Sequence, residues 1–258
     1  MEFRLVFDTI PDAFDRYRPH YPAIVYQTLF PYAHLTPGSA VLELGPGTGQ
    51  ATRPVLDTGC AYWGIELGEH LADRLAGNFQ DYPNFHLIRG DFLTHDFGGQ
   101  RFDCVFSAAA IQWMPEEAAF RKVHSLLKPG GTLAMLLIKT DYQTPNPALY
   151  DRIQAVYSRY YKPEQVYMPG RFRYEQAPAY GYVDFEKHTF PGRRQYTGAE
   201  YAALCATHAD HITIPSPYRE PFFTGIREAV ESFGDRIELL DTYVLYLARR
   251  PRHNPAAL

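Results

Sequence analysis

Cysteine is scarce in this sequence, and no two cysteines are spaced as a pair. The chain has 258 residues and three cysteines, Cys60, Cys104 and Cys205. Small secreted domains that depend on disulfides are dense in cysteine, so this composition argues against such a fold. We expect the three side chains to be core thiols, and we expect the protein to act in the reducing cytoplasm.

Long apolar segments are also missing. The longest uninterrupted apolar run covers residues 133–138 and is six residues long, whereas a helix that spans a bilayer needs about 20 apolar residues. The first ten residues contain Glu2 and Asp8 and lack the apolar centre of a signal peptide. We therefore expect neither a membrane partner nor secretion.

Basic residues do not form a block. The chain has 25 Lys and Arg against 29 Asp and Glu, a net charge of −4. Binding to a phosphate backbone usually needs a basic face, so we expect no nucleic-acid partner. The Gly-x-Ser-x-Gly motif of many hydrolases is also absent, and a hydrolase is not indicated.

What the sequence does contain is a predicted strand, a glycine-rich turn and a predicted helix in direct succession. Residues 41–44 favour a buried strand, Gly45, Gly47 and Gly49 follow at alternate positions, and residues 50–58 favour a helix. Glycines let a ligand approach the backbone, and the first N–H groups of a helix attract negative charge. Taken alone, the pattern also fits a tight strand-to-helix turn.

The glycine spacing differs from the dinucleotide fingerprint. In that fingerprint a third glycine or an alanine stands at the sixth position, which in this chain is Gln50. The third glycine of this chain is Gly49, one residue earlier. A second predicted strand, residues 61–65, ends at Glu66. A carboxylate about 20 residues after the first glycine is placed to accept hydrogen bonds from ribose hydroxyls, although a solvated carboxylate at a strand end is the alternative.

A third predicted strand, residues 85–88, leads into Gly90-Asp91-Phe92. Asp91 can accept a hydrogen bond from an adenine amine, and the ring of Phe92 can cover an adenine ring. By itself this tripeptide also fits an ordinary turn.

In this order the motifs resemble those of class I S-adenosylmethionine-dependent methyltransferases. The likeness covers roughly residues 10–140 and includes a Lys128-Pro129-Gly130-Gly131 turn. The resemblance implies S-adenosyl-L-methionine as the cofactor. It also implies an α/β fold, a doubly wound, seven-stranded Rossmann-like sheet of strand order 3-2-1-4-5-7-6 with an inserted, partly helical lid.

The segment Phe14-Asp15-Arg16-Tyr17-Arg18-Pro19-His20-Tyr21-Pro22 resembles one that folds over the cofactor in small-molecule methyltransferases, with Phe14 where tyrosine is usual. Pro19 and Pro22 also fit a simple extended entry into a helix from Ala23. The cofactor contacts that the resemblance implies are Phe14, Tyr17, Arg18, Glu43, Gly45, Pro46, Gly47, Gly49, Glu66, Leu67, Asp91, Phe92, Ala108, Gln112 and Trp113.

A fourth predicted strand, residues 102–106, runs into small residues and then Gln112-Trp113. Many relatives have His-Trp there, and Gln-Trp resembles the trans-aconitate methyltransferase group. Glutamine cannot serve as a base, so no catalytic residue is assigned. His20 and Tyr21 remain candidates, whereas His124 lies in a predicted helix, residues 116–127, and is expected to be structural.

We expect one methyltransferase domain over residues 1–258. Its predicted parts are a cofactor-covering segment (1–35), a cofactor-binding core (36–140), a substrate lid with the sixth strand (141–200), and C-terminal helices with the last strand (201–250). The late elements are predicted as a helix over 146–161, a strand over 182–190, helices over 198–208 and 218–233, and a strand over 241–248.

The predicted lid holds ten of the 20 tyrosines of the chain, and tyrosine suits the enclosure of a flat organic molecule. Four arginines of this region could clamp a carboxylate or phosphate of the substrate, or could simply point to water. They are Arg171, Arg173, Arg193 and Arg194.

His208 and His211 have a spacing that could hold a metal, but no third ligand is evident, so we expect no metal site. The predicted function is methyl transfer from S-adenosyl-L-methionine to an O, N or C atom of a small organic metabolite, by a monomer or homodimer. The alternative is a protein that binds S-adenosylmethionine without methylating, for another reaction or for sensing.

Overall fold

A computed structural model describes residues 2–166, 168 and 172–252, and in this part of the chain seven strands form one sheet. The strands are β1 Ala40–Leu44, β2 Ala61–Glu66, β3 Phe85–Arg89, β4 Phe102–Ala108, β5 Leu127–Asp141, β6 Val183–Tyr196 and β7 Ile237–Arg249. Their order is β3-β2-β1-β4-β5-β7-β6. The predicted fold class and strand order are confirmed.

Strand β1 lies at the centre of the parallel part of the sheet. It pairs in parallel with β2 on one side and with β4 on the other, and the register places Leu44 beside Ile65 and Glu43 beside Phe106. Strand β3 pairs with β2, and β5 with β4, also in parallel. The carboxyl ends of these strands therefore meet at one edge, where open α/β sheets bind their ligands.

Helices connect the strands because apolar residues recur at helical spacing between them. On α5, for example, Ala119, Phe120, Val123 and Leu126 are buried. The α-helices of the described residues are α1 Pro11–Tyr17, α2 Ala23–Ala33, α3 Thr52–Leu56, α4 Glu69–Asn78, α5 Glu116–Leu126, α6 Pro147–Tyr160, α7 Gly198–Cys205, α8 Ala209–Ile212 and α9 Arg219–Glu231. Short 3-10 helices cover Phe3–Thr9, Ile111–Trp113 and Tyr174–Tyr180. None of the helices described is both long and apolar enough to cross a membrane.

The chain divides into two compact units. The first unit consists of Met1–Pro19, Ile138–Met168 and Pro191–Thr242, and the second of His20–Leu137, Pro169–Phe190 and Tyr243–Leu258. The core of the second unit is built on the central strands, with Leu42, Val105 and Leu133 fully buried. Parallel strands that are buried on both faces have nearly continuous apolar sequences.

The first unit has its own core, formed between α6, α7 and α9. Leu149 and Ile153 of α6 pack in one apolar cluster with Leu204 of α7 and with Phe222 and Ile226 of α9. The predicted apolar face of the helix at residues 146–161 is thereby confirmed.

Helix α7 begins with a capping box, in which the hydroxyl of Thr197 accepts from the backbone N–H of Glu200 and the Glu200 carboxylate accepts from the N–H of Thr197. This reciprocal pair satisfies two N–H groups that the first turn of a helix leaves without partners.

Several predicted boundaries differ from the observed ones. Strand β6 continues past Pro191 to Tyr196, six residues beyond its predicted end at Phe190. A proline is tolerated there because β6 is an edge strand, so the missing N–H costs no ladder hydrogen bond if it faces outward. Helix α7 ends at Cys205 and not at His208, because the Thr207 hydroxyl donates to the Leu204 carbonyl at 2.6 Å and so replaces the backbone partner of a continuing helix.

All three cysteines are free and buried, as predicted. Burial raises the pKa of the Cys60 and Cys205 thiols, the latter to about 12. They are therefore held as neutral thiols within the core.

Candidate functional site

The turn after β1 depends on its glycines. Gly45, Gly47 and Gly49 have φ angles of +60°, +61° and +106°, in the region that residues with a side chain rarely adopt. A Cβ added at Gly45 would lie 2.7 Å from the Cβ of Ala110, which is closer than van der Waals contact allows. The glycine turn is thus kept narrow, and it presents backbone at the carboxyl edge of the sheet.

Glu66, at the end of β2, is tied to this turn through both of its carboxylate oxygens. Oε2 accepts from the backbone N–H of Gly47 at 2.8 Å, and Oε1 accepts from that of Gly68 at 3.0 Å. The residue is 6% exposed. A carboxylate has about four lone-pair sites, so hydrogen bonds to backbone N–H groups do not by themselves prevent such a group from accepting from the hydroxyls of a ligand.

Glu43, predicted as a cofactor contact, is buried beneath the turn. Its Oε2 accepts hydrogen bonds from the hydroxyls of Tyr62 and of Thr52, the latter at 2.7 Å. Burial raises the pKa of Glu43 to about 7, and the nearby Glu66 raises it further, whereas the two hydroxyls oppose the shift. Around neutral pH this carboxyl group is consequently poised between its neutral and charged forms.

The turn after β3 contains Asp91 and Phe92. Asp91 accepts from the N–H of Leu93 at 2.9 Å through Oδ1, which is the hydrogen bond of an Asx turn. The ring of Phe92 is 3% exposed and packs against Phe97, with 6.1 Å between the ring centres. The expectation that the Phe92 ring covers an adenine is therefore corrected, because this side chain belongs to the hydrophobic core.

Lys122 of α5 holds the same turn in place. Its ammonium group donates to the carbonyls of Leu93 and His95, at 3.0 Å and 2.6 Å. Burial lowers the pKa of Lys122, while Asp91 and Asp96 oppose that shift. The helix thus anchors the loop that carries Asp91.

Gln112 follows β4 in the 3-10 helix Ile111–Trp113, together with Trp113. Its amide nitrogen donates to the carbonyl of Ala109 at 2.9 Å, and its amide oxygen accepts from the Tyr174 hydroxyl at 3.0 Å. Both ends of the Gln112 side chain therefore have partners within the second unit. A cofactor contact of this side chain stays a prediction, and it would require one of these bonds to be shared or exchanged.

The small residues before Gln112 have a packing role. The hydroxyl of Ser107 donates to the carbonyl of Leu44 at 3.3 Å and accepts from the N–H of Ile111 at 2.9 Å. Ala109 has a φ of +53°, which is uncommon for a residue other than glycine. Strands β1 and β4 are thereby joined at the edge where Ala108 and the glycine turn lie.

His20, a candidate base, lies next to the end of the glycine turn. Its Nδ1 is 3.1 Å from the carbonyl oxygen of Gln50. A carbonyl only accepts, so Nδ1 carries the hydrogen, and Nε2 of the neutral ring keeps its lone pair. The side chain is exposed. Tyr21, the other candidate, places its ring 6.1 Å from that of Tyr243 in an edge-on arrangement.

The remaining predicted contacts lie in both units. Pro46 borders Gly64, where an added Cβ would be 3.2 Å from the Pro46 ring, and Leu67 is half-buried directly after β2. Phe14, Tyr17 and Arg18 belong to the first unit, where the Arg18 guanidinium lies 5.2 Å from the centre of the Phe14 ring. A place for these three residues over the glycine turn stays a prediction.

Three of the four arginines proposed as a substrate clamp already have carboxylate partners. Arg173 pairs with Glu116, Arg193 with Glu238, and Arg194 with the buried Asp241. The charge of each of these three is thus opposed within the chain, and a role in clamping a substrate stays a prediction. Arg171 lies outside the described residues.

Sequence reasoning missed three partners of the site, namely Tyr62 on Glu43, Ala110 against Gly45, and Tyr174 on Gln112. Ala110 belongs to the run of small residues that follows β4. Small residues allow close approach, so a contact with a glycine of the turn could have been predicted. Tyr174 is 62 residues from Gln112 along the chain, and no local pattern predicts such a contact.

Comparison with known proteins places the central segment in one family. Residues 41–131 match a family described as a methyltransferase domain. Over 53 residues the chain is 49% identical to ribosomal RNA small subunit methyltransferase A of Synechococcus sp., a match that spans 20% of this chain and only 19% of that protein. An uncharacterised methyltransferase-like protein of Schizosaccharomyces pombe is 22% identical over 227 residues, which is 88% of this chain and 86% of that one.

Among solved structures, the fold is similar to that of phosphoethanolamine N-methyltransferase 2 of Haemonchus contortus, in a complex with phosphomonomethylethanolamine and S-adenosylhomocysteine. The TM-score is 0.60 at 16% identity, over 97% of this chain and 60% of that one. At such low identity the likeness concerns the fold alone.

Proposed function

We propose that this chain is a class I S-adenosylmethionine-dependent methyltransferase, which transfers a methyl group from S-adenosyl-L-methionine to an oxygen, nitrogen or carbon atom of a small organic molecule. The match of residues 41–131 to a methyltransferase domain supports the proposal. The observation that carries the proposal is the anchoring of Glu66. A carboxylate at the tip of β2, held by two backbone N–H groups beside three left-handed glycines, is suited to ribose hydroxyls.

The residues of the glycine turn take the remaining parts of the cofactor in this proposal. Gly45, Pro46, Gly47 and Gly49 border its methionine and ribose portions, with Glu43 below them. The adenine and the reacting end of the cofactor are surrounded by Leu67, Asp91, Ala108, Gln112 and Trp113. At Phe92 the backbone, and not the ring, borders the adenine. Phe14, Tyr17 and Arg18 of the segment 1–35 cover the cofactor, and residues 141–200 serve as the lid.

The protein's main task is positioning. Bound S-adenosyl-L-methionine supplies a methyl group already activated by a positively charged sulfur. The chain has then to hold the acceptor atom in line with the methyl carbon and to exclude water, and positioning of this kind can contribute about 7–11 kcal/mol. The dense tyrosines of residues 141–200 fit an aromatic enclosure for a small acceptor.

The proposed setting follows from the same properties. Free buried thiols and a net charge of −4 fit a cytoplasmic enzyme without nucleic-acid or membrane partners. We expect a monomer or a homodimer. The likeness to the trans-aconitate methyltransferase group stays a hypothesis about the acceptor.

The cofactor is tested by calorimetric titration with S-adenosylmethionine, S-adenosylhomocysteine and NAD in parallel. Binding of the first two without NAD is expected, and binding of NAD alone would overturn the proposal. Acceptors are then screened by the release of S-adenosylhomocysteine in proportion to the substrate consumed. Cofactor binding with no such release from any acceptor class would favour the non-methylating alternative.

Glu66→Ala should weaken S-adenosylmethionine binding by about 1–3 kcal/mol, because charged hydrogen bonds to the ribose are lost. Glu69→Ala, which removes an exposed carboxylate three residues later on α4, is the matched control and should bind normally. Equal affinities of the two variants would remove Glu66 from the site.

His20 is the proposed base for an acceptor that must lose a proton. His20→Asn keeps a nitrogen donor for the Gln50 carbonyl but lacks the basic Nε2, so kcat should fall by about 10²–10⁴ with little change in cofactor affinity. A kcat near the wild-type value in His20→Asn, together with a loss in His20→Ala, would mean that the ring only anchors the turn.

A further inference from the structure

Three side chains with metal-binding chemistry meet in the first unit, away from the motifs considered so far. They are Cys205, the last residue of α7, His208, the residue before α8, and His211 within α8. The sulfur of Cys205 and one ring nitrogen of each histidine lie within 4.8 Å of one another. His208, with ψ of 139°, is extended between the two helices, so the turn from α7 to α8 brings the three side chains together.

The ring of His211 is oriented as metal-binding histidines usually are. Its Nδ1 lies 2.8 Å from the carbonyl oxygen of Cys205, and a carbonyl only accepts, so Nδ1 carries the hydrogen. Nε2 therefore holds the lone pair, which accepts from the Tyr157 hydroxyl at 3.0 Å. A ligating histidine typically donates its other N–H to a carbonyl or carboxylate in the same way.

A metal requires neutral imidazoles and a thiolate as ligands. The Cys205 thiol would therefore release its proton on coordination.

The surrounding charges do not forbid a cation. Arg18 and Arg194 are positive, but Arg194 is paired with the buried Asp241. Asp210 lies between the two histidines in sequence, and its Oδ1 accepts from the backbone N–H of His211 at 3.1 Å. A thiolate and this carboxylate together supply two negative charges near a divalent ion.

The geometry points to Zn²⁺. We propose that Cys205, His208 and His211 bind one zinc ion, with water at the fourth position. Thiolate and imidazole are the ligands that zinc prefers, and bond lengths of about 2.3 Å to sulfur and about 2.0–2.1 Å to nitrogen require the three atoms to approach by roughly 1 Å. Tyr157 would exchange its hydrogen bond with His211 for one to the bound water.

This site is independent of the proposed methyl transfer. It departs from the expectation of no metal, which depended on the lack of a third ligand. Cys205, three residues before His208, is that ligand, although its sequence context is that of a core thiol.

The test is a titration of the chelator-treated full chain with Co²⁺, followed by Zn²⁺. One equivalent of Co²⁺ should produce a thiolate-to-cobalt charge-transfer band in the near ultraviolet together with the visible bands of tetrahedral cobalt, and Zn²⁺ should abolish both. Calorimetry in buffers of different ionisation enthalpy should show release of about one proton, from the thiol.

Variants locate the site. Cys205→Ser should lose the charge-transfer band, and His208→Ala should weaken cobalt binding at least tenfold, as loss of a ligand or its support typically does. Cys60→Ser, at another buried free cysteine, should keep the band. Circular dichroism reports whether each variant is folded. The titration of the wild type tests the proposal even if a variant does not fold. Absence of the band in the wild type, or its survival in folded Cys205→Ser, would overturn the proposal.

Discussion

Glu43 should make the stability of the ligand-free protein depend on pH. Its pKa is raised from 4.5 to about 7 in the folded state, mainly by burial. The folded protein therefore binds a proton more tightly than the unfolded chain, and the stabilisation from the neutral form is lost as pH rises from 4.5 through 7. A shift of this size corresponds to about 3 kcal/mol in total, most of which falls between pH 5 and pH 8.

The substitution Glu43→Gln removes the titration but keeps a side-chain oxygen for the hydroxyls of Thr52 and Tyr62. Any change in those hydrogen bonds is the same at every pH. The difference in unfolding free energy between variant and wild type should consequently shift in favour of the variant by about 2–3 kcal/mol from pH 5 to pH 8.

The assay is urea denaturation of both proteins at half-unit steps from pH 5 to pH 8, without ligand. Titrations of all other groups cancel in the difference. Glu117→Gln, at an exposed carboxylate of α5, is the control for replacing a glutamate outside the core. A flat difference for Glu43→Gln would refute the conclusion that burial raises the pKa of this carboxyl group.

Two further predictions concern the glycine turn and a buried ion pair. Gly45→Ala should destabilise the protein by about 1–3 kcal/mol, because φ is +60° and the new Cβ would press on Ala110. Gly77→Ala, in α4 with open space around it, should instead stabilise the protein by up to about 1 kcal/mol. A higher melting temperature for Gly45→Ala than for Gly77→Ala would contradict both expectations. Asp241→Asn should cost about 3–5 kcal/mol in urea denaturation, because the charge of Arg194 loses its buried partner. Adding Arg194→Met to that variant should recover part of the loss, and an equal loss in the double variant would show that the ion pair is not the cause.

Much of the second unit could be predicted from local sequence. The alternation of buried strands and helices gives the order of elements, and the run Glu43 to Gly49 gives the turn, because its glycines are needed for a backbone conformation that other residues resist. Phe92 shows where such reasoning ends. A phenylalanine after an aspartate fits either a ligand cover or a core residue, and only the packing against Phe97 decides between them.

The arginines illustrate the same limit for charge. Arg193 and Arg194 are separated from Glu238 and Asp241 by about 45 residues of chain, and no periodicity of strand or helix reveals such partners. The sequence alone determined the alternating strands and helices of the parallel core and the glycine turn, because these depend on local conformational preferences and on apolar spacing, whereas the strand order was implied by the resemblance to a known family. Tertiary structure alone decided which carboxylates are anchored, which arginines are paired, and that a cysteine joins two histidines, because each depends on distances between residues brought together by folding.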